Sequence, residues 1–334
     1  MKAVFFCNSE SIPDVYPPDV RGRIAEMTEL YPEVVRQDDM ASHAEALAQA
    51  EIVFSTWGMP RLTEEEIKKW LPSLRAVFYG AGSVQYFARP YLQCGIAVFS
   101  AWAANAVPVI EYASSLIQLS LKGFLPVARM TRRDWRAARE LAQRYPGAYA
   151  GVKVGLIGAG MVGRGVIERL GALDVTVQVY DPYCPEGVVE SLGAHRLDDL
   201  NALFATSQVV SNHAANLPST REMLRYEHFA SMPRYGTFIN TGRNSQVHVS
   251  GLVRALEVRP DLTAFLDVTD PDEPPSAGNP LLGCRNIFMT PHIAGSSNLE
   301  RGRQGAYMAD ECARWLAGEP VRWQVTLKML ETMA

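Results

Sequence analysis

The sequence predicts an α/β protein of two doubly wound parallel-sheet domains. Three observations carry that prediction: a length of 334 residues, a first series of short β-branched or aromatic runs alternating with amphipathic stretches, and a second such series starting at Val152. The length exceeds one ordinary core, so about two domains are expected, with a cleft between them. Hydrophobic residues at 48% and charged residues at 20% are those of a soluble globular chain and exclude the disordered and fibrous classes. The formal net charge is -4 and no Lys/Arg cluster stands out, so neither a nucleic acid nor a membrane surface is expected as partner.

In the first series the strands fall near residues 3–6, 33–35, 52–56, 76–79 and 97–99, with helices between them. The opening Met1-Lys2-Ala3-Val4-Phe5-Phe6-Cys7 lacks a small-residue cleavage site and reads as a strand, not a signal peptide, which points to the cytoplasm. Thr63 followed by Glu66 is a capping-box pattern for a helix that stops before Pro72. A long helix is expected over about 105–122, capped by Asn105, with Pro108 in the first turn where a missing amide donor is tolerated. It is apolar on nearly every side, which places it against both domains or a second subunit. Pro108, Glu111 and Lys122 interrupt the apolar stretch 106–125, so no membrane insertion is expected.

A charged stretch, 129–143, precedes the Pro146-Gly147 break, and the strands of the second series fall near 154–157, 176–180, 209–211, 237–240, 264–266 and 287–289. The closing helix, about 298–316, lies beyond the last strand and can return to the first domain. The domains are therefore expected at 1–104 with 297–334, and at 105–296. The five cysteines, Cys7, Cys94, Cys184, Cys284 and Cys312, are scattered, odd in number and never in a CxxC pair. That argues against a disulfide framework and a zinc site, and no metal is expected.

Gly158-Ala159-Gly160-Met161-Val162-Gly163 follows the apolar run 154–157 and opens a helical pattern, the context in which G-x-G-x-x-G carries meaning. The glycines allow a tight turn and close approach of a pyrophosphate, which then meets the amide donors and positive end of the helix. Asp181 ends the next strand, 18 residues after Gly163 (181−163). Its carboxylate can accept from a ribose diol and would repel a 2′-phosphate, and Pro182, Tyr183 and Cys184 offer no cation in compensation. NAD is the expected cofactor, and His213, just past the run 209–212, can approach it.

Three later segments are Asn240-Thr241-Gly242-Arg243, Leu266-Asp267-Val268 with Asp272-Glu273-Pro274, and Thr290-Pro291-His292-Ile293-Ala294-Gly295. Together with the glycine fingerprint, Asn105-Ala106 and Glu111, they closely resemble the D-2-hydroxyacid dehydrogenase family over roughly residues 70–310. The resemblance implies a Rossmann NAD-binding domain beside a flavodoxin-like substrate domain. It also implies reversible hydride transfer between NADH and the carbonyl carbon of a 2-oxo acid.

The residue types suit that chemistry. Arg243 can grip a carboxylate bidentately and polarise the adjacent carbonyl, where a lysine could not. His292 is the natural proton donor to the carbonyl oxygen near neutral pH. Glu273, on the other ring nitrogen, would fix the tautomer and favour the imidazolium. The resemblance further implies that Asp267 contacts the nicotinamide carboxamide, that the backbone around Asn240 to Gly242 packs near its ring, and that Thr241, Gly242 and Gly295 belong to the cofactor side. In the first domain it implies that amides of the Tyr79-Gly80-Ala81-Gly82-Ser83 loop bind the substrate carboxylate, Ala81, Gly82 and Ser83 foremost, with Trp57 and Tyr79 as pocket wall.

Two departures from the family pattern stand out. Asn244 replaces the usual Gly after Arg243, so the backbone there is expected to differ, although Asn tolerates positive φ better than most residues. The loop from Asp267 to His292 is one residue longer than usual, which leaves Asp272 and Glu273 as alternatives to face the histidine. Glu273 is preferred because it keeps the Glu-Pro pair and reaches further. The apolar 105–122 helix and the family's usual assembly imply a homodimer. The alternative on the same fold is an NAD-sensing, non-catalytic binding protein or corepressor, which turnover separates. Formate dehydrogenase is a weaker rival, since that relative carries a neutral amide in place of the acid. Glyoxylate, hydroxypyruvate and larger branched or aromatic acids all fit the substrate class.

Overall fold

The computed structural model describes residues 1–331 except 270 and 272. The chain forms two compact units, one made of residues 1–106 with the chain from 296 onward, the other of 107–295.

The sheet of the first unit contains β1 (Lys2–Phe6), β2 (Glu29–Val35), β3 (Ile52–Ser55), β4 (Ala76–Tyr79), β5 (Ala97–Ser100) and a late β13 (Gln324–Val325) in the order β13-β5-β4-β3-β1-β2. All pair in parallel except β13, which runs antiparallel to β5. Side chains alternate along each strand and so sort into two cores. Val4, Phe6, Val53, Val77 and Val98 enter one, while Phe5, Phe54, Phe78 and Phe99 enter the other. Strand β2 starts four residues before the expected 33–35, because Pro32 interrupts its sequence while backbone pairing to β1 carries the strand across it. The two-residue β13 carried no pattern at all. It is fixed by the wholly buried Glu311, whose Oε1 accepts from the amides of Arg322 (2.6 Å) and Trp323 (2.7 Å), while Oε2 accepts from Arg314.

The capping box at Thr63 forms: the Glu66 amide donates to Thr63 Oγ1 (3.2 Å) and the Thr63 amide to Glu66 Oε2 (2.8 Å), opening the helix Glu64–Trp70. The long helix runs over Trp102–Leu121 and so starts before Asn105, which corrects the expected cap. The Asn105 amide donates to Ala101 O inside the helix, and its side-chain Oδ1 accepts from Ser296 N (3.1 Å) and Gln304 Nε2 (3.0 Å). Pro108 therefore lies within the helix, beyond the first turn. The closing helix spans Arg301–Ala317 and begins later than expected because residues Asn298–Glu300 take a 3-10 turn.

The second unit's sheet contains β6 (Lys153–Ile157), β7 (Thr176–Tyr180), β8 (His195–Arg196), β9 (Val209–Asn212), β10 (Thr237–Asn240), β11 (Thr263–Leu266) and β12 (Ile287–Met289). Their order is β12-β11-β10-β9-β6-β7-β8, wholly parallel. The chain order reverses between β6 and β9, a topological switch point of the kind at which open α/β sheets bind ligands, beyond the carboxyl ends of the strands. Val154, Leu156, Val179, Val209 and Ile239 fill one face, and Ile157, Val210, Phe238, Ala264 and Leu266 the other. Among the described residues no helix is long and apolar enough to cross a membrane.

Candidate active site

Six strand ends of the second unit lie in register: Tyr180 pairs with Ile157, Ile157 with Asn212, Asn212 with Asn240, Asn240 with Leu266 and Leu266 with Met289. The residues that follow them are therefore neighbours along one edge, in the order Asp181, Gly158, His213, Thr241, Asp267 and Thr290. Parallel pairing thus gathers residues more than a hundred positions apart.

At the switch point the Gly158 turn has φ +95°, and a Cβ on it would stand 2.8 Å from the His213 carbonyl oxygen. A Cβ at Gly163 would overlap the Gly158 carbonyl, so this glycine lets the helix Met161–Leu170 pack against the turn. At Gly160 a Cβ would meet nothing within 4 Å, which leaves an open face. The helix begins there without a side-chain cap, at Met161 and Val162, so its first amides remain available to an anion. Asp181 Oδ2 accepts the Ala159 amide (2.7 Å), and Oδ1 accepts those of Tyr183 (2.8 Å) and Cys184 (3.1 Å). The Asp181 carboxylate is thereby tied to the Gly158 turn. These residues fit a dinucleotide. His213 keeps its ring Nε2 buried without a hydrogen-bond partner, and burial pushes its pKa down to about 4. Its carbonyl faces Gly158 and leaves no room for a side chain there.

At the other end of the edge, His292 Nδ1 lies 2.8 Å from Glu273 Oε2, and Glu273 Oε1 accepts the Thr269 amide at 2.9 Å. Burial works to raise the Glu273 pKa. The hydrogen bonds from His292 and Thr269, helped by the charges of His292 and Arg243, outweigh it and hold the carboxyl below its ordinary value. Asp272 lies outside the described residues. The His292 side chain is 43% exposed, so its ring can be reached. Arg243, just past β10, donates from Nη1 to its neighbour's carbonyl, Gly242 O, at 2.7 Å. Asn244 opens a 3-10 turn, Asn244–Gln246, and is not among the residues of positive φ, so no glycine is required after Arg243.

His292 itself takes φ +54°, a left-handed conformation that costs a non-glycine residue about 1–2 kcal/mol. The loop is held there by Asp267, buried at 1% exposure. The His292 amide donates to the Asp267 carbonyl (2.9 Å). Side-chain Oδ1 accepts from Ile293 N (2.9 Å) and Thr290 Oγ1 (2.5 Å), and Oδ2 from Ala294 N (2.8 Å). Because Thr290 spends its proton on Asp267, the Tyr112 hydroxyl 3.0 Å away must donate to Thr290 Oγ1. Oδ2 keeps one lone pair, enough to accept a single N–H from a ligand amide. Sequence reasoning missed Tyr112 and Thr290 as part of this set. Gly295 closes the loop.

In the first unit, the loop after β4 is fastened by Ser100 Oγ, which donates to Ala81 O (2.8 Å) and Gly82 O (2.7 Å). The Ala81 amide donates to Tyr79 O (2.9 Å) and the residue is buried. Tyr79 is only 1% exposed and packs with Tyr86 and Phe87, which removes it from any pocket wall, whereas Trp57 is 36% exposed with the Arg301 guanidinium over its ring.

Residues 115–294 match the family described as D-isomer specific 2-hydroxyacid dehydrogenase, NAD binding domain. The chain is 30% identical to the D-3-phosphoglycerate dehydrogenase of Methanocaldococcus jannaschii over 67% of its own residues and 42% of that relative. It therefore spans less than half the length of that protein. To the glycerate dehydrogenase of Methylorubrum extorquens it is 29% identical over 75% of this chain and 79% of the relative. Its fold is that of the apo D-mandelate dehydrogenase of Rhodotorula graminis, with TM-score 0.80 at 18% identity over 97% of both chains. These relatives are all named as dehydrogenases, which lends nothing to the non-catalytic alternative.

Proposed function

The chain belongs to the D-isomer specific 2-hydroxyacid dehydrogenase family, and from that premise we propose that it transfers hydride reversibly between NADH and the carbonyl carbon of a 2-oxo acid. The observation that carries the proposal is the His292–Glu273 pair at 2.8 Å, one end of a row that has the Gly158 turn and Asp181 at the other. NADH supplies the hydride when bound. Gly158, Gly160 and Gly163 shape the pyrophosphate cradle, the amides of Met161 and Val162 meet its charge, and Asp181 takes the ribose diol. His213, Thr241, Gly242 and Gly295 border the cofactor, and Asp267 accepts the carboxamide on its remaining lone pair. Arg243 grips the substrate carboxylate and polarises the carbonyl. His292 delivers a proton to the carbonyl oxygen, and ionised Glu273 supports the imidazolium and fixes the ring.

We also propose a homodimer formed through the second unit. The long helix does not supply the unpartnered surface, because Ala113, Leu116, Ile117 and Leu121 are buried in the unit's own core. Support comes instead from Leu119, Phe124, Met130, Trp135 and Tyr149, large apolar side chains that stand exposed on or near helices Phe124–Thr131 and Trp135–Ala142. The scattered cysteines, free in the structure, support the cytoplasm as the working compartment.

The test is a panel of 2-oxo acids from glyoxylate and hydroxypyruvate to branched and aromatic members, followed by NADH absorbance. Turnover of at least one with NADH is expected, and binding of NADH without turnover of any would refute the enzymatic reading.

A further inference from the structure

Three side-chain amides are wholly buried beside one another at the carboxyl edge of the second unit: Asn212 at the end of β9, Asn240 at the end of β10, and Gln246 in the turn after Arg243. Burying an amide without partners is costly, so the hydrogen bonds of these groups define what they hold. Asn212 Nδ2 uses both its hydrogens, one on Asn240 Oδ1 (3.1 Å) and one on Gln246 Oε1 (2.6 Å). Gln246 Nε2 uses both of its own on the carbonyls of Ala214 and Ala215, each at 2.9 Å. Asn240 Oδ1 also accepts the Gly242 amide and its Nδ2 donates to the Arg243 carbonyl, both at 3.1 Å, while Asn212 Oδ1 accepts the Ala214 amide at 3.2 Å.

The set therefore has two ends. One end grips the loop 213–215 that follows β9 beside the glycine turn, and the other grips the turn 241–243 that carries Arg243. Gly242 sits tight against the junction, since a Cβ there would lie 3.2 Å from both Asn212 Nδ2 and Gln246 Oε1. We propose that Asn212 and Gln246 are positioning residues that lock the Arg243 turn to the loop after β9, so that the substrate clamp and the cofactor wall are set as one piece. The inference rests on the reading of Arg243 as clamp and of loop 213–215 as cofactor border. The lock is neutral and each of its side-chain nitrogen and oxygen atoms has a hydrogen-bond partner, so it holds without placing a competing charge near the guanidinium.

The experiment uses Gln246→Glu, which keeps shape and acceptor but loses both N–H donors to Ala214 and Ala215, and Gln246→Met, which loses them without adding charge. NADH affinity is read by fluorescence titration, and kcat and KM are measured on the best 2-oxo acid, at a temperature where circular dichroism shows each variant folded. The lock requires both variants to weaken NADH binding and to lower kcat/KM for the oxo acid together, each by at least about tenfold, since each loses at least two buried hydrogen bonds. Asn212→Ala should do the same, and the double variant Asn212→Ala/Gln246→Met should be no worse than the poorer single, because the two residues act as one unit. Loss of thermal stability with unchanged NADH affinity and kcat/KM overturns the proposal, as does a change in only one of the two. If the wild type reduces no 2-oxo acid, the functional reading fails instead. The lock is then judged by NADH titration alone, where equal affinity in Gln246→Glu and wild type overturns it.

Discussion

Asp267 holds the Ile293 and Ala294 amides on its two carboxylate oxygens, at 2.9 and 2.8 Å, and so fixes the backbone on which the His292 ring is mounted. Asp267→Asn puts an amide N–H where one of those donors must be accepted. We expect kcat for oxo-acid reduction to fall at least tenfold, about the effect of one misplaced hydrogen bond at a reacting group. Thr290→Val should give a smaller loss, since it removes one donor to Asp267 and the acceptor of the Tyr112 hydroxyl but leaves both backbone amides held. Steady-state kinetics of the two variants side by side test this, and the reverse ranking would refute it.

His292→Ala should lower kcat by about 10²–10⁴, the usual worth of general acid catalysis, with NADH affinity nearly unchanged. Because Glu273 is held below its ordinary pKa by its partners, it stays ionised as pH falls to the usual carboxylate range, and the pair persists there. Glu273→Gln removes the charge beside the ring and should lower kcat without weakening NADH binding, which steady-state kinetics and NADH titration check.

Asp181→Ala should weaken NADH binding and relax discrimination against NADPH, because it removes a ribose acceptor and a repulsive charge together. The bond from the Ala159 amide adds a second expectation: the glycine turn loosens, so thermal stability should drop as well. Wild-type kcat/KM with NADPH equal to that with NADH would contradict the assignment.

Burial holds His213 neutral down to about pH 4, whereas the unfolded chain takes up the proton near the ordinary value of 6.5. This group's contribution to stability is full above 6.5 and is lost as pH falls toward 4. Denaturant unfolding of wild type and His213→Gln at several pH values should show a shallower acid loss in the variant. Parallel slopes would remove His213 as a cause.

Trp135 is 74% exposed, an unusual setting for the largest apolar side chain. Trp135→Glu should shift light scattering from twice the chain mass toward the single chain, with NADH binding retained. A wild type that is monomeric at micromolar concentration would end the dimer proposal.

Much of this was legible because it is local. The runs that became β4, β7 and β10 announce themselves by composition, the glycine turn by spacing, and the His292 and Glu273 loops by their place after strands. What stayed hidden is tertiary. Asn105 looked like a helix cap, yet its side chain is claimed by Ser296 and Gln304, nearly two hundred residues away. Tyr79 looked like pocket wall until its strand's alternation turned it into the core. Asn212, at a strand end, and Gln246 carried no site expectation, since nothing in a linear pattern says that two amides will be buried against each other. The polar ends of otherwise apolar strands, Asn212 and Asn240, were the one signal available.

The in-register row of strand ends also works as a ruler. Five gaps separate β7 from β12, and at about 4.8 Å each they put roughly 24 Å between the strand that carries Asp181 and the strand that leads to His292. Loop changes can alter what stands at each mark but not the distance between marks, because the pitch is set by backbone hydrogen bonds. A ligand engaging both ends has to be long and lie across the strands, and a mononucleotide falls short. Shortening the cofactor by half should therefore abolish turnover even where each half still binds.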